Sequence, residues 1–147
     1  MDPIKHMTIA LKEYGVREIK GKKDNPQILK YFDLEEFKGH SYKDETAWCS
    51  AYANWVCKES DLPRSKELTA RSWMDVGDET TTPKFGDVVV LWRESPESWK
   101  GHVGFFIKET EHYVYVLGGN QSNKVCIQAY PKSRVLCYRE LCIEVGA

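Results

Sequence analysis

Three residues of types that cooperate in covalent catalysis occur in the chain order Cys49, His102 and Asn120. A cysteine attacks a carbonyl carbon as its thiolate, and an adjacent histidine takes the thiol proton. An asparagine that hydrogen-bonds the imidazole holds the ring in the required tautomer. Such residues support acyl transfer, in which the thiol displaces an amine from an amide and water then clears the acyl-enzyme. This chemistry requires elements that bring the three side chains together.

Cys49 lies in the first turn of a predicted helix. Apolar residues at helical spacing predict this helix from about Thr46 to Lys58, with Thr46 or Asp44 as its cap. Unpaired N–H groups and the helix dipole at this end stabilise a thiolate, whereas the acidic Asp44 and Glu45 oppose one. We therefore expect a reactive Cys49 to need a cationic partner.

His102 opens a predicted strand, and its neighbours depend on the hairpin that follows. A three-residue loop at residues 109–111 would place His102 opposite Gly118. Because side chains alternate across a sheet, Asn120 then shares the face of His102, and Gln121 lies on the other face. A shift of one residue in the loop would reverse this assignment. In this register Asn120 can orient the His102 ring.

The other histidines and cysteines are expected to be structural. The histidines predicted at the surface are His6, His40 and His112. The remaining cysteines are Cys57, Cys126, Cys137 and Cys142. These cysteines form no Cys-x-x-Cys pair, which argues against a zinc site or a disulfide framework. We expect them to be buried thiols, and we expect no metal and no cofactor.

Two kinds of periodicity divide the chain. Helical spacing and capping signals predict a helix from Ile4 to Tyr14, a short helix from Pro26 to Tyr31, the Cys49 helix, and a short helix within residues 65–77. Five short runs rich in Val, Tyr, Phe and Ile then predict strands. They are residues 85–92, 101–107, 112–118, 124–130 and 134–141. Helices followed by strands predict an α+β fold with an antiparallel sheet, as one domain over residues 1–147.

The composition argues against several classes of protein. The net charge of the 147 residues is −1, and the basic residues are scattered, so we expect no binding to nucleic acid. No apolar run is long enough for a transmembrane helix, and the first residues lack the pattern of a signal peptide. We expect a monomer that is made in the cytoplasm, so any role outside needs another route of export.

Several motifs in a fixed order carry a family resemblance. They are DETAWCSAYANW, ARSW, GDVVVLWR, WKGHVGFF, LGGNQS and YPKSRVLCYR. The chain resembles papain-like cysteine amidohydrolases and peptidases of the CHAP and NlpC type, over about Ile4 to Arg139. It is most similar to a subgroup found in phage lysins and secreted antibacterial effectors, which cut the peptide part of peptidoglycan. The resemblance implies a papain-like fold, with Cys49 and His102 as catalytic residues and Asn120 as a third residue that varies among relatives.

The shared motifs also contain candidate substrate-binding or oxyanion residues. These are Asp44, Glu45, Trp48, Trp92 and Gln121, although packing also accounts for Trp48. The resemblance implies peptidoglycan peptide as the substrate. Delivery to the wall would then depend on a phage holin, an injection system or fusion to a partner. If the chain is injected into rival bacteria, we expect an immunity protein that blocks the cleft.

Three alternatives remain open at this point. The same catalytic set serves a papain-like protease or amidase that acts on a substrate other than the wall, because a fold does not determine a substrate. A catalytically silent module that binds wall peptides is the second alternative, and a metal site built from cysteines and histidines is the third. The residues do not choose between an amidase and an endopeptidase.

Overall fold

Three α-helices precede a six-stranded sheet in the computed structural model, which describes residues 5–19, 24–37 and 48–141. The helices are α1 (Lys5–Lys12), α2 (Pro26–Tyr31) and α3 (Cys49–Glu59). The strands are β1 (Asp78–Thr80), β2 (Val88–Trp92), β3 (Gly101–Glu109), β4 (Tyr113–Gln121), β5 (Lys124–Pro131) and β6 (Val135–Glu140). Short 3₁₀ helices span Glu35–Phe37, Ala70–Asp75 and Lys132–Arg134. The predicted α+β fold is confirmed.

Helix α3 begins later than the sequence predicts. Its first residue is Cys49, and its N-cap is Trp48, which makes no side-chain capping hydrogen bond. The predicted caps, Thr46 and Asp44, lie outside the described residues. Cys49 therefore occupies the first helical position, where the backbone N–H has no acceptor within the helix.

The sheet is antiparallel, with the strand order β1-β6-β2-β3-β4-β5. Strands β2 to β5 pair in the order of the chain, and β6 returns to pair with the free side of β2. All five predicted runs are strands. The edge strand β1 was missed because three polar residues, Asp78–Thr80, show no apolar alternation. Within the described residues, no helix is long and apolar enough to cross a membrane.

Both faces of the sheet carry buried apolar side chains. One face packs with the helices in the main core, through residues such as Val88, Val90 and Phe105. The alternate residues Val89 and Leu91 lie on the opposite face. This second cluster also contains Phe106, Val114, Val116 and Tyr130.

Aromatic contacts hold α3 and α1 against the sheet. The Tyr52 ring meets Phe105 edge-on at 6.5 Å, and its hydroxyl donates to the Ala10 carbonyl at 2.7 Å. His6, which was predicted at the surface, is only 1% exposed, and its Nε2 lies 2.7 Å from the Gly86 carbonyl oxygen. The surface prediction for His6 is wrong because this helix position faces the core.

The β3–β4 hairpin differs from the predicted one. Phe105 pairs with Leu117, and Glu109 pairs with Val114, so the predicted loop at residues 109–111 is wrong. The register shifts between Phe106 and Lys108, where Ile107 is an additional residue in β3.

A second bulge lies at the end of β4 and changes which side chain faces His102. Gly118 pairs with Cys126, but Gln121 pairs with Lys124, so β4 contains one additional residue between these pairs. Asn120 adopts a φ of +57°, a left-handed conformation that asparagine tolerates better than most residues. The bulge places Gln121, rather than Asn120, on the face of Gly118.

Candidate active site

The first residue of α3 meets the beginning of β3. The His102 imidazole lies beside the Cys49 thiol and acts on it through its charge and through hydrogen bonding. Both residues are almost completely buried, with 7% and 6% of their surface exposed. The predicted nucleophile and base are therefore brought together in a site that largely excludes water.

The Cys49 thiol is more acidic than an ordinary cysteine. Burial opposes its ionisation, but the positive charge and the hydrogen bond of His102 act in the other direction. Hydrogen bonding from the backbone of Val103 and of Ser50 makes smaller contributions in the same direction. Together they hold the pKa of the Cys49 thiol below its ordinary value, which favours the thiolate. By contrast, burial raises the pKa of the Cys137 thiol to about 11.

Gln121 holds the other side of the His102 ring. Its Oε1 lies 2.9 Å from the His102 Nε2. Its Nε2 donates to the carbonyls of Val116 at 3.1 Å and Cys126 at 2.6 Å. Because the amide nitrogen is committed to two carbonyls, Oε1 must be the acceptor at His102. The His102 Nε2 therefore carries the hydrogen, and Nδ1 is the nitrogen left for the thiol.

Tyr130 is a further member of this network. Its hydroxyl donates to the Gln121 Oε1 at 3.1 Å, so this oxygen accepts two hydrogen bonds. Its ring centre lies 5.4 Å from that of His102. Sequence reasoning missed Tyr130 because β5 alternation marks it only as an inward-facing residue. The YPKSRVLCYR motif was the available signal.

Two glycines make room for the site. A Cβ on Gly118 would lie 2.9 Å from the Gln121 Oε1 and 3.4 Å from the His102 Nε2. A Cβ on Gly119 would lie 2.7 Å from the Trp48 ring on the other side of the strand. Gly118 therefore permits the contact between Gln121 and His102, and Gly119 permits the packing of α3 on β4.

The sequence predicts Asn120 as the residue that orients His102, and this geometry is wrong. Within the described residues, the hydrogen-bond partner of the ring nitrogen is Gln121. Gln121 is 1% exposed, so it supports His102 from the interior and is not placed to bind a substrate. The cause is the bulge at Asn120, which alternation along a regular strand does not anticipate.

The remaining predicted site residues fall into three groups. Trp48 is fully buried and donates from its Nε1 to the Glu18 carboxylate at 3.0 Å, which corrects its expected place at a substrate surface. Trp92 is half-buried, and its Nε1 donates to the Ser133 carbonyl at 3.1 Å. Asp44 and Glu45 lie outside the described residues.

Among the other cysteines and histidines that the structure describes, Cys126 is the one that contacts this network. Cys57 is fully buried in the core, and Cys137 is buried on β6. Cys126 is buried beside Gln121, and its Sγ lies 3.4 Å from the Gln121 carbonyl oxygen. His112 is exposed, as predicted, whereas His40 and Cys142 lie outside the described residues. Across the described ranges, no group of three or more His, Cys, Asp or Glu residues is arranged to hold a metal ion.

Comparison with known proteins relates this chain to a family of hydrolases. The sequence model of the CHAP domain family matches residues 41–120, which is more than half of the 147 residues and includes Cys49 and His102. This family is papain-like, and its domains are typically cysteine hydrolases or amidases. The match supports the CHAP part of the predicted resemblance and does not extend to the NlpC type. No curated protein matches the chain.

Proposed function

Because the chain belongs to the CHAP domain family, we propose that it hydrolyses an amide bond in the peptide part of peptidoglycan, as an amidase or an endopeptidase. The observation that carries this proposal is the hydrogen-bonded series Cys49, His102 and Gln121 within a family of hydrolases. Each of the three residues has a separate chemical task.

In the first step Cys49 attacks the carbonyl carbon of the amide. His102 takes the thiol proton at Nδ1, and the resulting imidazolium gives this proton to the leaving amine as the C–N bond breaks. The products of this step are a free amine and a thioester on Cys49. Water then attacks the thioester while His102 again accepts the proton, which releases the carboxylic acid and restores the thiol.

The helix end supports the negative charge that forms on the carbonyl oxygen. As the first residue of α3, Cys49 presents a backbone N–H that α3 does not use. Such a donor, aimed along the helix dipole, is a candidate for the oxyanion hole.

Gln121 acts through His102 and is a positioning residue. Its Oε1 accepts from the imidazole Nε2–H, which keeps Nδ1 available to the thiol. Hydrogen bonds to two backbone carbonyls and from Tyr130 set the orientation of the Gln121 side chain, so a network of buried groups fixes the His102 ring on the side away from the thiol. We infer that this arrangement replaces the orienting role predicted for Asn120.

Digestion of purified sacculi tests the proposed function. Wild-type protein should release soluble fragments, and Cys49→Ala should release none. Cys57→Ala is the matched control, because it removes a buried thiol from the same helix eight positions further on. Mass spectrometry of the fragments distinguishes the bond. An amidase leaves free lactyl groups and whole stem peptides, whereas an endopeptidase creates new termini within the peptide.

Three results would contradict the proposal. Equal digestion by wild type and Cys49→Ala would exclude the thiol mechanism. If wild type cleaves a model peptide but not sacculi, the substrate is another protein or a small amide. Binding of wall fragments without any cleavage would identify a silent binding module, although such a module has no need of an acidified thiol.

We also propose that the enzyme reaches the wall as a phage lysin or as an antibacterial effector with an immunity partner. The support is the resemblance of its motifs to that subgroup. Expression with an export signal in a susceptible bacterium should cause lysis in the wild type and not in Cys49→Ala. Rescue by the product of an adjacent gene would identify the effector, and lysis that no neighbouring product prevents would favour the lysin.

A further inference from the structure

Arg134 lies between two aromatic rings beside the candidate active site. Its guanidinium carbon is 5.6 Å from the centre of the Trp92 ring and 5.5 Å from that of Tyr130. Its Nε and Nη2 donate to the Trp92 carbonyl at 3.2 and 3.0 Å. Contacts with two aromatic rings and two hydrogen bonds to one carbonyl hold the guanidinium in place, although the residue remains partly exposed.

This position is close to the reacting groups. The Tyr130 ring, whose centre is 5.5 Å from the guanidinium carbon, also lies 5.4 Å from the His102 ring. The two separations place the guanidinium at most about 11 Å from the imidazole, a distance that about three residues of extended peptide span. A substrate bound at Cys49 can therefore reach Arg134 with a neighbouring residue.

The charge of Arg134 is not neutralised within the described part of the chain. No ion pair there joins Arg134 to a carboxylate, whereas Arg64 pairs with Glu36. The two bonds to the Trp92 carbonyl use two of the five guanidinium N–H groups, and three N–H groups remain without a described acceptor. Burial raises the pKa of Tyr130, and Arg134 is the strongest charge acting against that rise.

We propose that Arg134 binds a carboxylate of the peptide substrate within about three residues of the amide that Cys49 attacks. A planar guanidinium with three N–H groups that have no described acceptor suits the two oxygens of a carboxylate. The inference rests on the proposed function and names the substrate class more closely, as an acidic peptide. Arg134 then determines specificity in addition to linking the 3₁₀ helix before β6 to Trp92 on β2.

Binding to a set of synthetic stem peptides tests this assignment. The set consists of the parent peptide and variants in which one carboxylate at a time is replaced by its carboxamide. Titration calorimetry with Cys49→Ala measures the Kd without turnover. We expect one replacement to raise the Kd about tenfold to a hundredfold, the range of a hydrogen bond to a charged group. In Cys49→Ala combined with Arg134→Gln, that replacement should have no effect.

The matched control is Arg139→Gln. Arg139 also donates from Nε and Nη2 to backbone carbonyls, those of Val76 and Gly77, at 2.7 and 2.8 Å. The Arg139→Gln variant therefore loses a similar structural link, near the other end of β6. Its discrimination between the parent peptide and the carboxamide variants should be unchanged. Arg134→Lys keeps the charge without the planar fork and should retain part of the discrimination. Thermal unfolding of each variant shows whether it is folded.

The outcomes separate this inference from the proposed function. If wild type digests sacculi but no single amidation changes the Kd, the role of Arg134 is excluded and the proposed function stands. If the Arg134→Gln variant still distinguishes the parent peptide from the carboxamide variants, the role of Arg134 is excluded as well. If neither digestion nor peptide binding occurs, both proposals fail together.

Discussion

Replacing His102 by alanine should move the pKa of the Cys49 thiol from below its ordinary value to above it. Burial is the largest single influence on this thiol and opposes its ionisation, and the charge and hydrogen bond of His102 are the two largest contributions in the other direction. The variant removes both contributions of His102 and leaves most of the burial. Hydrogen bonding from the backbone of Val103 and of Ser50 remains, but these are the smallest of the stabilising contributions.

The expected change in reactivity follows from two opposing effects. An ordinary cysteine is only a few per cent thiolate at pH 7, and each tenfold loss of acidity reduces that fraction about tenfold. The less acidic thiolate is the better nucleophile, by about threefold over the same interval. At neutral pH the alkylation rate should therefore fall about threefold for each tenfold loss of acidity, and it should rise more steeply with pH than in the wild type.

The assay is the rate of alkylation of Cys49 by iodoacetamide between pH 5 and pH 11, followed by mass spectrometry of the peptide that contains Cys49. The same measurement on Cys49→Ala gives the background from the other cysteines. The plateau at high pH reports the access of the reagent to the thiol, and the inflection reports its pKa. His102→Gln, which keeps much of the volume and a hydrogen bond, separates the loss of charge from the opening of a cavity.

A wild-type inflection at or above that of a free cysteine would refute the proposed pair. So would an unchanged inflection in both His102 variants, because the helix end and the backbone hydrogen bonding would then be sufficient. An inflection that moves upward in His102→Ala but not in His102→Gln would assign the effect to the hydrogen bond rather than to the charge.

Further predictions concern the residues behind His102. Gln121→Ala should lower kcat about tenfold to a hundredfold with little change in KM, whereas Asn120→Ala should have a smaller effect on kcat. Steady-state kinetics measures both variants, and a larger effect of Asn120→Ala would assign the orienting role to Asn120. Gly118→Ala should lower kcat with little loss of stability, because its Cβ would meet the Gln121 Oε1. Gly119→Ala should lower the free energy of unfolding in urea by about 1–3 kcal/mol, because its Cβ would meet the Trp48 ring; equal effects from both glycines would contradict this division.

Most of the fold could be predicted from local patterns. Pro26 after Asn25 marks the start of α2, and the continuous run of apolar residues Val88–Trp92 marks β2, because capping signals and runs of strand-forming residues are properties of neighbouring residues. The order of the strands could not be predicted. The return of β6 to the open side of β2 is a contact between distant segments, and no local signal in Val135–Glu140 specifies its partner.

Two residues of the candidate site, Cys49 and His102, could be predicted from local patterns in the same way. Cys49 and His102 follow from residue type, position at the start of an element, and chain order. Burial of His6 depends on the approach of α1 to Gly86, which lies 80 residues further along the chain, so spacing alone left it at the surface. Tyr130 and Arg134 join the site through contacts between side chains on β5, β2 and the turn before β6, which sequence spacing does not reveal.

The choice between Asn120 and Gln121 shows why one residue of bulge matters to chemistry. The predicted register places His102 opposite Gly118, whereas the observed hairpin pairs Phe105 with Leu117, a shift of an even number of residues along β4. Because side chains alternate between the two faces of a strand, an even shift alone would leave Asn120 on the face of His102. The additional residue after Gly118 changes the parity and turns Gln121 inward. A glutamine side chain is one methylene longer than asparagine, and here it reaches His102 with Oε1 while its nitrogen is held by two carbonyls of the neighbouring backbone. The bulge therefore replaces a short side chain on a regular strand with a longer one that is anchored at both ends, which fixes the tautomer that the thiol requires.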